Sequence, residues 1–237
     1  LNLDEQRYKY RALDDWFKTP QGHHLGEAFA VQLARCHAYL RGDRLLQIGL
    51  CGDNLWLDAL LFNQKYTFTP CLDAPKASFV GSPQTLPFHR NSMDTIIAPM
   101  TCEVFGREKH PLDEIDRVLK PMGYAVFLGI NPLSLWGMAR HFHGLPCFGR
   151  ASVTLTSSLL LRRALLARGY RQEAFEAFYY VPPFQKEAWI KRCLFLNDMG
   201  KLASFFPAGF YCLIMQKYQD ALPPLRPVSE DVLLLPG

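Results

Sequence analysis

Asp94-Thr95-Ile96-Ile97-Ala98-Pro99, the charged and apolar run Leu112 to Lys120, the break Pro121-Met122-Gly123 and the run Tyr124-Ala125-Val126-Phe127-Leu128-Gly129-Ile130 decide the fold of this chain. Thr95–Pro99 and Tyr124–Ile130 have strand length and no polar face, so each predicts a strand covered on both sides. Between them, Leu112, Ile115, Val118 and Leu119 recur at helical spacing among charges, which predicts an amphipathic helix stopped at Pro121-Met122-Gly123. Strands buried on both faces and alternating with helices predict an α/β, doubly wound, mostly parallel sheet.

The flanking sequence extends the pattern. Upstream, Leu45 to Ile48 is an apolar strand closed by Gly49, Leu55 to Phe62 predicts a short helix, Lys65 to Pro70 alternates like a strand, and Ser78 to Val80 gives another. The first forty residues read as helix, with Tyr8, Leu13, Trp16 and Phe17 at helical spacing, a break at Thr19-Pro20-Gln21-Gly22, and a continuation through Leu25, Phe29, Leu33, Cys36 and Leu40. Downstream, helices are expected over Leu133–Phe142, Leu155–Arg168 and Ala188–Met199, strands over Tyr170–Tyr180 and Gly209–Lys217, and an extended tail from Asp220.

Composition narrows the class. With 237 residues, 49% hydrophobic and 20% charged, the chain can bury a core of its own and is neither disordered nor collagen-like. No apolar stretch approaches the roughly 18 residues of a membrane-spanning helix, and no basic-then-apolar leader pattern precedes the first helix. The sequence opens on Leu1 rather than Met, so a start further upstream is expected. The net charge of +4 is too mild to argue for nucleic acid, although Arg150 to Lys201 holds nine Lys and Arg against four Asp and Glu. That excess reads either as a solvated helix face or as a patch for an acidic partner. Seven scattered cysteines without a CxxC pair suggest neither zinc nor a disulfide framework, and reduced thiols fit a cytoplasmic location.

In an open parallel sheet, ligands bind beyond the carboxyl ends of the strands. The segments there are Gly49-Leu50-Cys51-Gly52-Asp53-Asn54, then Gly81-Ser82-Pro83-Gln84-Thr85-Leu86, then Pro99-Met100-Thr101-Cys102-Glu103, and Gly129-Ile130-Asn131-Pro132. Glycines after the first strand allow a tight turn and close approach of a ligand, and a helix starting there would offer free N–H groups.

Leu86-Pro87-Phe88, Ser92-Met93-Asp94, Glu103 and the run Leu112 to Gly123 resemble the class I S-adenosylmethionine (SAM)-dependent methyltransferases, whose members commonly read LPF, SFD, LE and LREIxRVLKPGG there. The opening Trp16-Phe17-Lys18-Thr19-Pro20-Gln21-Gly22, the segment Asn131 to Met138, Tyr180-Val181-Pro182-Pro183 and Gly209 to Leu213 are similar to a bacterial methyltransferase-domain subgroup. The resemblance spans about Trp16 to Lys217. It implies a seven-stranded Rossmann-like methyltransferase fold in a single domain over 1–219, comprising an N-terminal helical cap (1–42), a cofactor-binding core (43–143) and the C-terminal half of the sheet (144–219), with a tail over 220–237. It implies SAM as cofactor, with Gln47, Gly49, Leu50, Gly52, Ser82, Leu86, Met100 and Thr101 as cofactor-binding residues, and a small-molecule or macromolecular methyl acceptor. Methyl transfer requires alignment of acceptor, methyl carbon and sulfur, and the family often has no obligatory catalytic side chain, so no catalytic residue is assigned.

The glycine motif departs from the family pattern. Gln47 stands for the acid, Cys51 for the second glycine and Asp53 for the third; Cys71 and Asp73 are the nearest residues to the acid after strand two, and Ser82 stands where many members carry Asp. These departures motivate a second reading, a methyltransferase-like binding or scaffolding module without methyl transfer. Each site residue also has a plainer role: Gly49 and Gly52 as a strand-end turn, Ser82 and Gln84 as loop polar groups, Leu86 as core, and Glu103 as a carboxylate holding backbone N–H groups. His23, His24, His37, His89, His110, His141 and His143 show no metal spacing, so no metal is expected, and His141 and His143 either lie on the surface or border a substrate mouth. Asn131-Pro132 resembles a motif of amine-methylating nucleic-acid enzymes, a third reading, but Leu133-Ser134 follows where those carry Pro and an aromatic residue. An apolar or aromatic acceptor would suit a pocket of Trp16, Phe17, Trp136 and Tyr180 near Phe184.

Overall fold

The computed structural model describes residues 3–106, 110–142, 145–184, 186–197 and 207–218; the expected tail, Gly144 and His143 lie outside them. Two helices lead, α1 (Leu3–Phe17) and α2 (Pro20–Arg35). Between them Thr19 caps α2, its hydroxyl accepting the Gly22 N–H at 3.3 Å, with Pro20 preset in the first turn. Then follow β1 (Arg41–Ile48), β2 (Leu61–Thr69), β3 (Phe79–Val80), β4 (Met93–Pro99), α3 (Thr101–Phe105), α4 (His110–Val118), β5 (Leu119–Ile130), α5 (Leu135–Phe142), α6 (Ser158–Leu166), β6 (Tyr170–Phe178), α7 (Glu187–Cys193) and β7 (Phe210–Lys217).

The seven strands form one sheet in the order β3-β2-β1-β4-β5-β7-β6. β1 pairs in parallel with β2 and β4, and β4 with β5, whereas β7 runs antiparallel between β5 and β6. This is the expected mostly parallel, doubly wound sheet. Ile96, Ile97, Val126, Phe127 and Leu213 to Met215 are fully buried at its centre, as strands covered on both faces require. Asp94 ties the lower ends of three strands: its carboxylate accepts the Asp43 and Arg44 N–H groups at 3.1 and 2.9 Å and the Lys120 ammonium at 2.6 Å.

Several boundaries differ from expectation, each for a local reason. The helix expected over Leu55–Phe62 does not form; the chain makes turns there and enters β2 at Leu61. Asn54 diverts it. The residue takes the left-handed region (φ +50°), and its side-chain oxygen accepts the Cys51 N–H at 2.9 Å, a bond that competes with helix start. Trp56 is then buried among Phe17 and Phe29, so α2 covers the face that a crossover helix would have covered. β5 begins at Leu119, not Tyr124; the β4–β5 register shifts between Met93 and Thr95, and this irregularity accommodates Pro121. α6 starts at Ser158 rather than Leu155 because Ser157 caps it, accepting the Leu160 N–H. α7 ends at Cys193, short of the expected Met199, which lies outside the described residues.

Candidate functional site

The strand order reverses between β1 and β4, so the crevice of this sheet opens beyond their carboxyl ends. The turn after β1 sits at its centre. Gly49 (φ +95°) and Gly52 (φ +59°) adopt backbone conformations that side chains disfavour, which the glycine pattern anticipated. Gln47, fully buried below them, is saturated from within: its amide donates to Gly49 O at 2.8 Å and to Asn54 Oδ1 at 2.6 Å, and its oxygen accepts the Trp56 indole N–H at 2.8 Å. Both donors of this amide are thus spent inside the protein.

Above the turn lies α1. Arg7, Tyr10, Arg11 and Asp14 recur at three- and four-residue spacing and share one helix face. The Tyr10 ring packs on Gly49 so closely that a Cβ built there would meet Tyr10 Cε1 at 2.7 Å. The Asp14 carboxylate accepts the Gly52 N–H at 2.8 Å. Arg11 pairs with Asp73 at 3.1 Å, and Arg7 donates to Pro70 O at 3.1 Å while its own carbonyl accepts the Cys71 thiol at 3.4 Å. The helical reading of the N-terminus holds, but its buried face carries Tyr10 rather than Tyr8, which is 49% exposed. Tyr10, Arg11 and Asp14 were missed as site residues because polar positions on a helix read as a solvated face until a partner is placed opposite.

What remains open is a cavity of about 240 Å³ lined by these three residues with Leu50, Gly52 and Asp73 among others. Small-molecule sites begin at roughly 300 Å³. Its mouth is charged: Lys76 pairs with Asp53 at 2.6 Å and holds that carboxyl below its ordinary range, and Lys18 pairs with Asp14 at 2.7 Å and Asp15 at 3.0 Å.

The other expected cofactor residues lie around this crevice without lining the cavity. Ser82 Oγ accepts the Gln84 N–H at 3.3 Å within the loop after β3. Leu86 is buried, with its N–H given to Glu114 and its carbonyl to Arg117 of α4, at 2.8 and 2.9 Å. Met100, left-handed at φ +49°, is buried and extends the β4–β5 ladder through its N–H to Leu128 O at 2.7 Å. Thr101 is buried below Tyr10, and the two hydroxyls face one another. Burial pushes the Tyr10 phenol well up, so it stays neutral.

Glu103 serves as a structural carboxylate: Oε1 accepts the Ile130 N–H at 3.1 Å, and burial pushes its acid up to about 8. Asn131 engages both ends of its amide in a turn, donating to Ala208 O and accepting the Leu133 N–H, each at 3.1 Å. Of the residues expected to build an acceptor pocket, Trp16 and Phe184 line an open groove of about 790 Å³ with Leu145, Pro146 and Pro183. Phe17 and Trp136 are core residues, the Trp136 indole donating to Val181 O at 2.9 Å, and Tyr180 lines a different hollow beside Ala28 and Asn197. Among the described residues no three His, Cys, Asp or Glu side chains gather to hold a metal, and no helix is long and apolar enough to cross a membrane.

The cofactor that the fold family implies does not fit this arrangement. Tyr10 fills the space on Gly49 that a ligand approaching the turn would take, Asp14 consumes the Gly52 N–H, and Arg11 neutralises Asp73.

Comparison with known proteins matches residues 63–127 to the methyltransferase domain family. A SAM-dependent methyltransferase from Thermotoga maritima superposes with a TM-score of 0.60 at 16% identity, over 86% of this chain and 93% of that one. One from Archaeoglobus fulgidus gives 0.55 at 18% identity, over 81% and 94%, and one from Methanosarcina mazei gives 0.54 at 17%, over 78% and 97%. No curated protein matches by sequence. The matched segment runs from β2 through β4 into β5 and begins after β1 and its glycine turn. With that segment and this strand order, the chain has the fold of the class I SAM-dependent methyltransferases, and residues 63–127 match the methyltransferase domain family.

Proposed function

We propose that the chain is a SAM-dependent methyltransferase whose cofactor cleft lies beyond β1, β2 and β4, with an acceptor of still unassigned chemistry. The observation that carries this reading is the coincidence of two independent features. The segment matching the methyltransferase domain supplies β4, one of the two strands between which the strand order reverses. Thermal unfolding with SAM tests it: millimolar SAM raises Tm if the cleft binds the cofactor. An unchanged Tm, both in the natural chain and in a variant with the Tyr10 ring removed, overturns the reading.

A second reading, a methyltransferase-fold binding module without methyl transfer, draws support from Gln47. Its amide is committed to Gly49, Asn54 and Trp56, so the turn is built as a closed unit rather than as an open cradle. The same titration separates the two, because a module of this kind ignores SAM even when the ring is gone.

A further inference from the structure

Helix α1 meets the crevice in two unlike ways. Beside the Tyr10 ring on Gly49 and the Asp14 bond to the Gly52 N–H, its contacts across the ends of β1 and β2 are polar and near solvent: Arg11 to Asp73, with side chains 60% and 86% exposed, and Arg7 to Pro70 O. Water replaces such contacts at little cost. Against α3 and below, the helix buries groups it does not satisfy. Gln6 is fully buried, and neither of its amide atoms finds a partner among the described residues. Lys9, 3% exposed, is held there, among the described residues, by Glu5 at 2.8 Å and Val104 O at 3.3 Å. Each unpaired buried polar group opposes docking, and a buried ammonium adds its desolvation.

The other end of the helix is differently made. Trp16 and Phe17 pack edge-on against Trp136 and Trp56 with ring centres 5.7 Å apart in each pair, and Thr19 ties the helix end to α2 through Trp16 O at 2.6 Å. The helix is therefore firmly held at residues 16–19 and poorly satisfied at Gln6 and Lys9, the signature of an element that can swing about its C-terminal end.

We infer that α1 is an internal competitor for the cofactor cleft: Tyr10 and Asp14 occupy the glycine turn when the helix is docked, and a ligand enters only when they leave. The inference rests on the methyltransferase reading, because it is SAM that the helix excludes. Docking and binding are then mutually exclusive, and the apparent affinity is the intrinsic affinity reduced by the fraction of molecules with α1 released. Tyr10→Phe keeps the ring over Gly49 and removes only the hydroxyl that faces Thr101, so it leaves the turn covered. Tyr10→Ala and Asp14→Ala weaken docking and free the turn.

Calorimetric titration with SAM, combined with hydrogen exchange of the α1 amides, tests the competitor. Expected is tighter binding by Tyr10→Ala than by the natural chain or Tyr10→Phe, with about tenfold or more between the extremes, and faster exchange in α1 on adding SAM to the natural chain. Should Tyr10→Ala fail to fold, Asp14→Ala supplies the loosened state. Equal affinities in all variants, or slower α1 exchange with SAM, overturn the competitor and leave the methyltransferase reading standing. No SAM binding in any variant, including a folded Tyr10→Ala, overturns both.

Discussion

Glu103 accepts the Ile130 N–H through Oε1 at 3.1 Å, while Oε2, equally enclosed, meets no partner. The carboxyl sits where β4 turns into α3, and burial outweighs the Ile130 and Glu103 N–H groups to push its pKa up to about 8. Unfolded, the group titrates near 4.3. Between those values the native chain holds a proton that the unfolded chain has released, so stability falls as pH rises from about 4 to 8 and levels off above. Glu103→Gln keeps the acceptor and removes the charge. It should gain a few kcal/mol over the natural chain at pH 8.5 and about nothing at pH 4. Urea unfolding at the two pH values checks this, and parallel behaviour of the two proteins would refute it.

Restoring the acid of the family pattern with Gln47→Glu should destabilise the fold. The side chain would lose two donations and place a carboxylate against Gly49 O and Asn54 Oδ1, and Asn54 cannot flip without losing the Cys51 N–H. The loss should be about 3 kcal/mol or more, read from the urea midpoint. A variant of unchanged stability would mean that the network rearranges freely.

The pair Cys51→Gly and Asp53→Gly, which restores the glycine pattern, should not open the cleft. Cys51 is 2% exposed in the core and Asp53 is engaged by Lys76, whereas the ring over the turn belongs to Tyr10. Stability should drop by about 1–2 kcal/mol from the lost thiol and the added backbone freedom, with SAM binding unaltered by calorimetry. Binding gained from the glycines alone would place the obstacle at Cys51.

Asp94→Asn should loosen the sheet at its lower end. Burial alone would raise this carboxyl, but Lys120 and the Arg44 and Asp43 N–H groups outweigh it and hold the acid below its ordinary range. Its contribution is therefore present above about pH 4 and lost as pH falls through the lowered native value. The variant should lose about 2 kcal/mol at pH 7 and show a shallower fall in Tm between pH 5 and 3. An unchanged acid limb would contradict the assignment.

Local sequence was enough for the sheet. Thr95–Pro99 and Tyr124–Ile130 are apolar on both faces, and such runs have one stable placement, at the middle of a parallel sheet. The glycines at 49 and 52 were equally legible, since positive φ is a property of a residue and its immediate neighbours. The missing helix after β1 was not, because Leu55 to Phe62 has helical spacing and Asn54 prevails only when its oxygen finds the Cys51 N–H and the Gln47 amide together. Least legible was the cover on the crevice. Tyr10 meets Gly49 across 39 positions and Asp14 meets Gly52 across 38, contacts that exist only once α1 has been laid over the strand ends. Periodicity thus determined which elements form and which are buried, whereas the pairing of α1 with the turn was decided by tertiary packing, since a polar helix face declares its partner only when the partner stands opposite.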